Sequence, residues 1–550
     1  MTREECCAVV AEKDMPRTVY DMIVAMQEKY AERPAFRWVD DATRTVQEKT
    51  YGQFVEDIRR MTRYLQANVA DVKGQRIVIL SRTNYEYGVV TFGAVMAGAV
   101  IVTLNQKKTW PELEYELGLS EPALIFTDGI DYGYADELKA AYGDKLRPMN
   151  AYEGSAPAEL ANRIDTNALM MLMFTSGTTG RSKGVMLSEK NYFSAMRMYV
   201  AGQTAVMRKA QELAPKDMDK PFSHFTLVPM FHLSGFICYF AYGIHGWTLN
   251  LCADPRDVRR DMSMMHSDAM STPPVLVEMI YNEIRRGNQD KLNGLWNLSC
   301  SSAILDPEIL SYLIAHGFYI NQCYSMTELA GYGLLNIAQE GEHLRALGKP
   351  DGFCEIKLDE TGEICVRGDA VMLGYYKNPE ETAKVFTPDG WFRTGDLGWL
   401  SPDGWLYIKG RLKNMIVGPS GENIYPEEIE SVLNSHVFVA DSLVTEKEGR
   451  LIALVHFNRD ELEARYEELK YDWEMKKDAW EKRIDELKKE VLDYVNSQVN
   501  RFSRLSEVVE EKEEFEMTPT KKIKRFLYNK RHGKDPVKEE DSKPHNTEAK

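Results

Sequence analysis

Read only for the spacing of its apolar and polar positions, the chain changes period several times. From 18 to 68 apolar residues recur every three or four positions, with one break at 37–40 (RWVD), which predicts a helix, a short strand pair and a second helix. A new rhythm starts with the strand at 77–80 (IVIL). Residues 87–104 (YGVVTFGAVMAGAVIVTL) are about as long as the shortest membrane span, but Gly88, Gly93, Gly98 and the β-branched ending VIVT predict a buried helix passing into a buried strand. A polar helix at 110–114 (WPELE) and a strand at 123–126 (ALIF) continue the alternation, and it resumes later at 225–229 (FTLVP) and 247–251 (WTLNL). Two apolar runs, 168–174 (ALMMLMF) and 184–187 (GVML), read as a strand and its returning partner. Alternation of this kind predicts parallel sheets with helices on both faces, in two successive doubly wound units.

Beyond 348–350 (GKP) the texture turns to short strands and tight turns, at 361–366 (TGEICV) and 399–408 (WLSPDGWLYI), where Pro-Asp-Gly marks a hairpin. That predicts a small β-barrel-like unit ending at 410–413 (GRLK). The run at 426–430 (PEEIE) opens a helix, with Pro in the first turn and acids that suit the helix dipole. The expected organisation is therefore an α/β N-terminal domain over 1–412 and an α+β C-terminal domain over 413–529, with the boundary near Lys413. Within the second, apolar residues at 462, 466, 469, 473, 480, 484, 487, 491 and 494, with Lys476 in one slot, predict a helical insertion at about 460–494. Its stripe packs onto its own domain or serves an oligomer or partner contact. Residues 530–550 are charged and nearly free of apolar side chains, the composition of a disordered tail.

Composition narrows the class of partner. A chain of 550 residues is long enough for roughly two to four structural units. A formal net charge of −16 argues against nucleic acid or an anionic membrane as a general partner, leaving only local basic patches for peripheral membrane contact. Eight cysteines show no C-x-x-C pair and no His-rich metal spacing, which suits a reducing compartment. The first residues, MTREECCAVVAEKDMPR, carry early acids and no apolar core, unlike a signal peptide. A cytoplasmic protein with no transmembrane segment is expected.

The densest chemistry lies at 173–188, MFTSGTTGRSKGVMLS. Gly177 and Gly180 free the backbone to turn its N–H groups inward, Thr175, Ser176, Thr178 and Thr179 add hydroxyls, and Lys183 supplies a mobile positive charge, so the natural guest is a polyphosphate. A Walker loop is excluded: Lys183 stands three residues after Gly180, precedes a glycine and opens a strand rather than a helix. The pattern TSGTTG-x-x-KG between two apolar runs resembles the signature loop of the adenylate-forming superfamily, which comprises acyl-CoA synthetases, peptide-synthetase adenylation domains and luciferases.

Five further stretches stand at the places of that family's motifs, in its order along the chain. Residues 229–235 (PMFHLSG) set His232 beyond an apolar run, where strand ends bind ligands in open α/β sheets, and the resemblance places it beside the acyl pocket. Amino-acid-activating members carry an acid in that slot, so a His disfavours an ammonium-bearing substrate. Residues 322–328 (QCYSMTE) are similar to Q-G-Y-G-x-T-E. The resemblance puts Gln322 and Tyr324 by adenine, Thr327 on the α-phosphate, and Glu328 with Thr175 on Mg²⁺, a cation that takes oxygen ligands. Residues 300–305 (CSSAIL), with Ser302, occupy the place of the family's Gly-rich adenine turn, serines replacing glycines. Residues 391–398 (WFRTGDLG) give Asp396 the two ribose hydroxyls, with Arg411 on the same side and Lys413 also at the nucleotide. Residues 517–525 (MTPTKKIKR) resemble the C-terminal lysine motif and make Lys522 the residue that meets the carboxylate and α-phosphate.

The resemblance spans residues 17 to 528 and implies a fold of a large N-terminal domain, two doubly wound subdomains plus the β unit, followed by a mobile C-terminal domain that rotates about Lys413. It implies an AMP-forming acyl-CoA synthetase using Mg²⁺, ATP and coenzyme A, most like the fatty or long-chain kind. The alternatives are a ligase loading a carrier protein, a luciferase-type oxygenase, and a non-catalytic nucleotide-binding scaffold.

Overall fold

The computed structural model describes residues 15–162, 165–175, 182–213, 221–301, 305–418, 422–459, 461–462, 473–517 and 523–531. Its first helix, Val19–Tyr30, begins where Thr18 and Asp21 cap each other, each side chain accepting the other's backbone N–H at 3.1 Å. After the strand pair Pro34–Val39 and Val46–Thr50, Thr50 and Gln53 start the helix Tyr51–Asn68 in the same way. The helix Tyr85–Ala97 is buried almost all round, and Gly98 ends it at φ +82°, a left-handed conformation that a β-carbon disfavours. The chain then runs directly into strand Val100–Thr103. The apolar run of membrane length is thus a core helix and strand, and among the described residues no helix is long and apolar enough to cross a membrane.

The α/β class expected from the rhythm is the one observed. A seven-stranded sheet runs, edge to edge, Gly374–Tyr375, Lys183–Ser188, Leu169–Thr175, Val100–Thr103, Arg76–Leu80, Leu124–Thr127 and Leu146–Pro148. Its last five strands run parallel to one another, and Lys183–Ser188 is antiparallel to both of its neighbours. An eight-stranded sheet runs Gly333–Asn336, Tyr319–Ser325, Asn297–Ser301, Ala269–Thr272, Ser223–Thr226, Thr248–Leu251, Pro34–Val39 and Val46–Thr50. Its far edge departs from strict succession: the N-terminal strand joins the second sheet, Phe36 lying in register with Leu249. Phe36 is held there by aromatic contacts to Phe54, Tyr85 and Tyr239 at centroid distances of 4.7, 5.4 and 5.4 Å.

One strand is shorter than the apolar run suggested. Ser223–Thr226 stops before Leu227, since Pro229 has no N–H to give a ladder, and His232 begins a helix, Leu233–His245, rather than ending a strand. The small β unit is a four-stranded sheet in the order Glu355–Leu358, Glu363–Arg367, Phe392–Leu400, Leu406–Arg411. Its Pro-Asp-Gly turn closes with Ser401 N–H on the Trp405 carbonyl at 2.8 Å, and Gly404 takes φ +88°.

The chain divides into two compact units, Met1–Asp359 with Ile364–Thr394 and Trp399–Tyr407, and Glu360–Glu363 with Gly395–Gly398 and Ile408–Lys550. Lys413 falls in the short turn Leu412–Asn414 of the second. That unit contains the helix Pro426–Asn434, the antiparallel pair Val439–Lys447 and Arg450–Phe457, a third strand Glu507–Glu510, and the helix Trp473–Gln498. Ile484, Leu487, Val491 and Val495 from this last helix are buried against Ile429, Leu433 and Val455. The expected stripe therefore packs onto its own unit, and from Ile484 onward it is a wall of the core, with Val495 taking the buried place expected of Tyr494. Stripe positions 466 and 469 and most of the tail lie outside the described residues.

Candidate active site

The expected phosphate loop is flanked by two described strands. Leu169–Thr175 and Lys183–Ser188 pair antiparallel with Thr175 opposite Lys183. Ser176, Gly177, Thr178, Thr179 and Gly180 lie outside the described residues, as do Ser302 and Lys522. Against the other edge of Lys183–Ser188 lies the two-residue strand Gly374–Tyr375, Tyr375 in register with Val185. Gly374 is required there: its φ is +133°, and a β-carbon would stand 2.8 Å from Thr382 Cγ2. Thr382 Oγ1 in turn accepts the Tyr375 N–H at 2.9 Å.

This arrangement joins two predicted residues from distant parts of the chain. The Lys183 ammonium lies 5.1 Å from the centre of the Tyr375 ring, the geometry of a cation–π contact. The hydroxyl of the same tyrosine donates to Glu328 Oε1 at 3.1 Å. Glu328 sits in the turn Thr327–Leu329, and its carbonyl accepts the Met372 N–H at 2.8 Å, so the strand that brings Tyr375 also fixes the glutamate. Lys183 is ion-paired with Glu381, which also binds Lys384 at 2.8 Å. Hydrogen bonds from Lys183 and then Lys384 hold the Glu381 carboxyl below its ordinary value.

The remaining predicted residues take separate places. Gln322 spans two loops: its Oε1 accepts the Leu305 N–H at 3.1 Å and its Nε2 donates to the Leu344 carbonyl at 2.6 Å. Half-buried Tyr324 lies two residues on in Tyr319–Ser325, in register with Leu334. His232 caps the helix Leu233–His245, its Nδ1 accepting the Ser234 N–H at 3.3 Å, which leaves the proton of a neutral ring on Nε2. In the second unit Asp396, 2% exposed, receives Arg411 Nε at 2.8 Å, so the two residues expected on the ribose side come together. Gly395, just before it, donates its N–H to Glu363 Oε1 at 2.8 Å. Lys413 is exposed in its turn.

Two participants escaped the sequence reading. Tyr375 and Glu381 stand in 374–382 (GYYKNPEET), where the available signal was Asn378-Pro379 capping a short acidic helix directly after an aromatic pair. Among the described residues no group of three or more His, Cys, Asp or Glu could hold a metal by itself. The carboxylate of Glu328 and the hydroxyl of Thr175 are oxygen donors, the ligand type a Mg²⁺ takes.

The family described as AMP-binding enzyme matches residues 24–376. A feruloyl-CoA synthase from Amycolatopsis sp is 31% identical over 405 residues, 70% of this chain and 77% of that protein. A long-chain-fatty-acid–CoA ligase from Salmonella typhimurium is 26% identical over 464 residues, 74% of this chain and 79% of that one. In fold, the chain resembles the o-succinylbenzoate CoA synthetase (MenE) of Bacillus subtilis in complex with its acyl-adenylate OSB-AMP, with a TM-score of 0.73 at 23% identity, over 92% of this chain and 97% of that one.

Proposed function

The chain belongs to the AMP-binding enzyme family, and from that premise we propose how this acyl-adenylate-forming CoA ligase uses its residues and which acids it takes. The enzyme is an AMP-forming acid–CoA ligase with ATP and coenzyme A as substrates. A carboxylate oxygen attacks the α-phosphorus of ATP and pyrophosphate leaves; the CoA sulfur then attacks the acyl carbonyl and AMP leaves. The first step turns a poor leaving group, the carboxylate oxygen, into a good one.

The observation that carries the reading is the Lys183–Tyr375–Glu328 chain. It sets a cation beside the loop that the sequence shapes for phosphates and, through one tyrosine, fixes the carboxylate suited to the accompanying metal. Lys183 neutralises charge on the departing phosphates. Glu328 and Thr175 would hold the Mg²⁺, which when bound supplies further positive charge there. Thr327 hydrogen-bonds the α-phosphate, Tyr324 stacks by adenine with Ser302 and Gln322 forming the wall, Asp396 and Arg411 take the ribose, and Lys522 meets the carboxylate. Rotation of the second unit about Lys413 separates the two steps.

The acid is apolar, aryl or fatty. Two facts support this: His232 offers no carboxylate to an ammonium, and the relatives named above are a feruloyl and a long-chain-fatty-acid enzyme. The test is pyrophosphate release from ATP with graded straight-chain acids, aryl acids and amino acids, each with and without CoA. Release with an apolar acid, and CoA-dependent AMP formation, is the expected result. Release that needs no acid, or that favours amino acids, overturns the proposal.

A further inference from the structure

The helix Trp110–Ser120 buries Leu113, Glu116, Leu117 and Ser120 on one face. A glutamate there is anomalous. Its side chain is 0% exposed, a carboxylate among leucines is costly, and an apolar residue of similar volume would be at least as stable. Its Oε1 is ion-paired with Lys108, and its Oε2 has no hydrogen-bond partner among the described residues. The lysine comes from the loop before the helix, which Tyr134 pins by donating its hydroxyl to the Gln106 carbonyl at 2.7 Å.

The same ammonium that meets Glu116 also donates to Ser182 Oγ at 3.3 Å. Ser182 directly precedes Lys183, which Glu381 holds from elsewhere in the same unit. The start of strand Lys183–Ser188 is therefore gripped at two consecutive side chains by two lysine–glutamate pairs, Lys108–Glu116 through Ser182 and Glu381 through Lys183 itself. The buried glutamate has a physical reason on this view. It fixes a long, flexible lysine in one conformation, at a point where that lysine's second contact meets the chain next to the phosphate-facing cation.

We propose that Lys108, held by Glu116, is a positioning residue for ATP: through Ser182 it sets where the backbone delivers Lys183 to the phosphates. This rests on the reading that Lys183 faces nucleotide phosphate. Lys108 touches neither acid nor CoA in this scheme, so its loss should fall on ATP alone.

The test compares Ser182→Ala, Lys108→Arg, Lys108→Met, and Lys108→Met combined with Glu116→Gln, which leaves no buried charge unpaired. Each is assayed for KM of ATP, acid and CoA, for ATP binding at equilibrium, and for Tm. Ser182→Ala and the double variant should raise KM and Kd for ATP roughly tenfold, about the fold-change of one lost hydrogen bond to a charged group. Acid and CoA KM should stay within about twofold, and Lys108→Arg should recover most of the loss. The proposal is overturned if the double variant regains wild-type ATP affinity, which makes the pair a matter of stability alone. It is also overturned if all three KM values move together or Ser182→Ala leaves ATP binding unchanged. Lys183→Ala is the control that separates the two levels: if it too leaves ATP binding intact, the phosphate reading itself has failed.

Discussion

Two lysine- or arginine-to-glutamate pairs in this molecule look alike on paper and are opposite in character. In the first unit Lys183 meets Glu381, whose carboxyl is held below its ordinary value by two lysines and whose side chain is 25% exposed. In the second unit Arg525 meets Glu430, 10% exposed, whose carboxyl burial pushes up while Arg525 opposes the shift. Glu430 Oε1 also accepts the Val444 N–H at 2.6 Å, and Asn414 binds neighbouring Glu427 at 2.6 Å. The Glu381 carboxylate keeps Lys384 and water as partners, so on the proposed reading Lys183 would exchange it for a phosphate at little cost. The Glu430 pair is more deeply buried: Arg525 keeps Glu427 at 3.9 Å and the Val444 carbonyl at 3.4 Å as weaker partners, whereas loss of Arg525 leaves Glu430 without its guanidinium. What separates the two pairs is access to water, the Glu381 side chain being 25% exposed and that of Glu430 10%.

The sharpest break should come from Glu430→Ala. It leaves the Val444 N–H without its acceptor and Arg525 with only Glu427 and the Val444 carbonyl, and is expected to destabilise the second unit by about 3 kcal/mol in urea or thermal unfolding. A loss below about 1 kcal/mol would make the two pairs equivalent. Lys183→Met should do the reverse, lowering kcat/KM for ATP by roughly 10²–10³-fold, about 2.7–4 kcal/mol, with stability nearly unchanged. Equal damage to folding would erase the distinction. Tyr375→Phe keeps the ring under Lys183 but removes the donor to Glu328, so adenylation should weaken by about 1 kcal/mol, read as an increased requirement for Mg²⁺ at constant ATP. An unchanged Mg²⁺ dependence would detach Tyr375 from the metal side.

The smallest effect concerns acid. The folded value of Glu381 lies below its ordinary 4.5, so its contribution to stability is full above pH 4.5 and is lost as pH falls through the lowered value. Glu430 lies above 4.5, so its contribution is present below pH 4.5 and is lost as pH rises through the raised value. Glu381→Gln should flatten the acid limb of the urea midpoint against pH, and Glu430→Gln the limb above it. The same change in slope from both substitutions would contradict the opposite shifts.

Local chemistry was legible in the sequence, and distance was not. Gly98 falls where the buried helix was expected to pass into its strand, and Pro402-Asp403-Gly404 marks its hairpin, because both turns are set by a few neighbouring residues. The register of Phe36 with Leu249 leaves no trace, since period reports which face is apolar and nothing of what will cover it. The stripe positions 484, 487 and 491 illustrate this, because they are buried as the period expected while their depth in the core appeared only with Ile429 and Leu433 in place. His232 was displaced by a proline whose missing N–H ended the strand early. Tyr375 and Glu381 carry no motif of their own and matter through what packs on them. Glu116 is hidden still deeper, since a glutamate in a helix read as polar gives no hint of burial.

The far edge of the second sheet bears on how the chain is made. Phe36 leaves the ribosome about 200 residues ahead of Leu249, which at ~5–20 residues per second is roughly 10–40 s. For that interval the strand Pro34–Val39 has only its hairpin neighbour, with one hydrogen-bonding edge open. The nascent protein therefore carries an unsatisfied strand through most of the synthesis of its first sheet. A chaperone that shields residues 34–50 would act in that window and be released once the strand Thr248–Leu251 emerges to take its place.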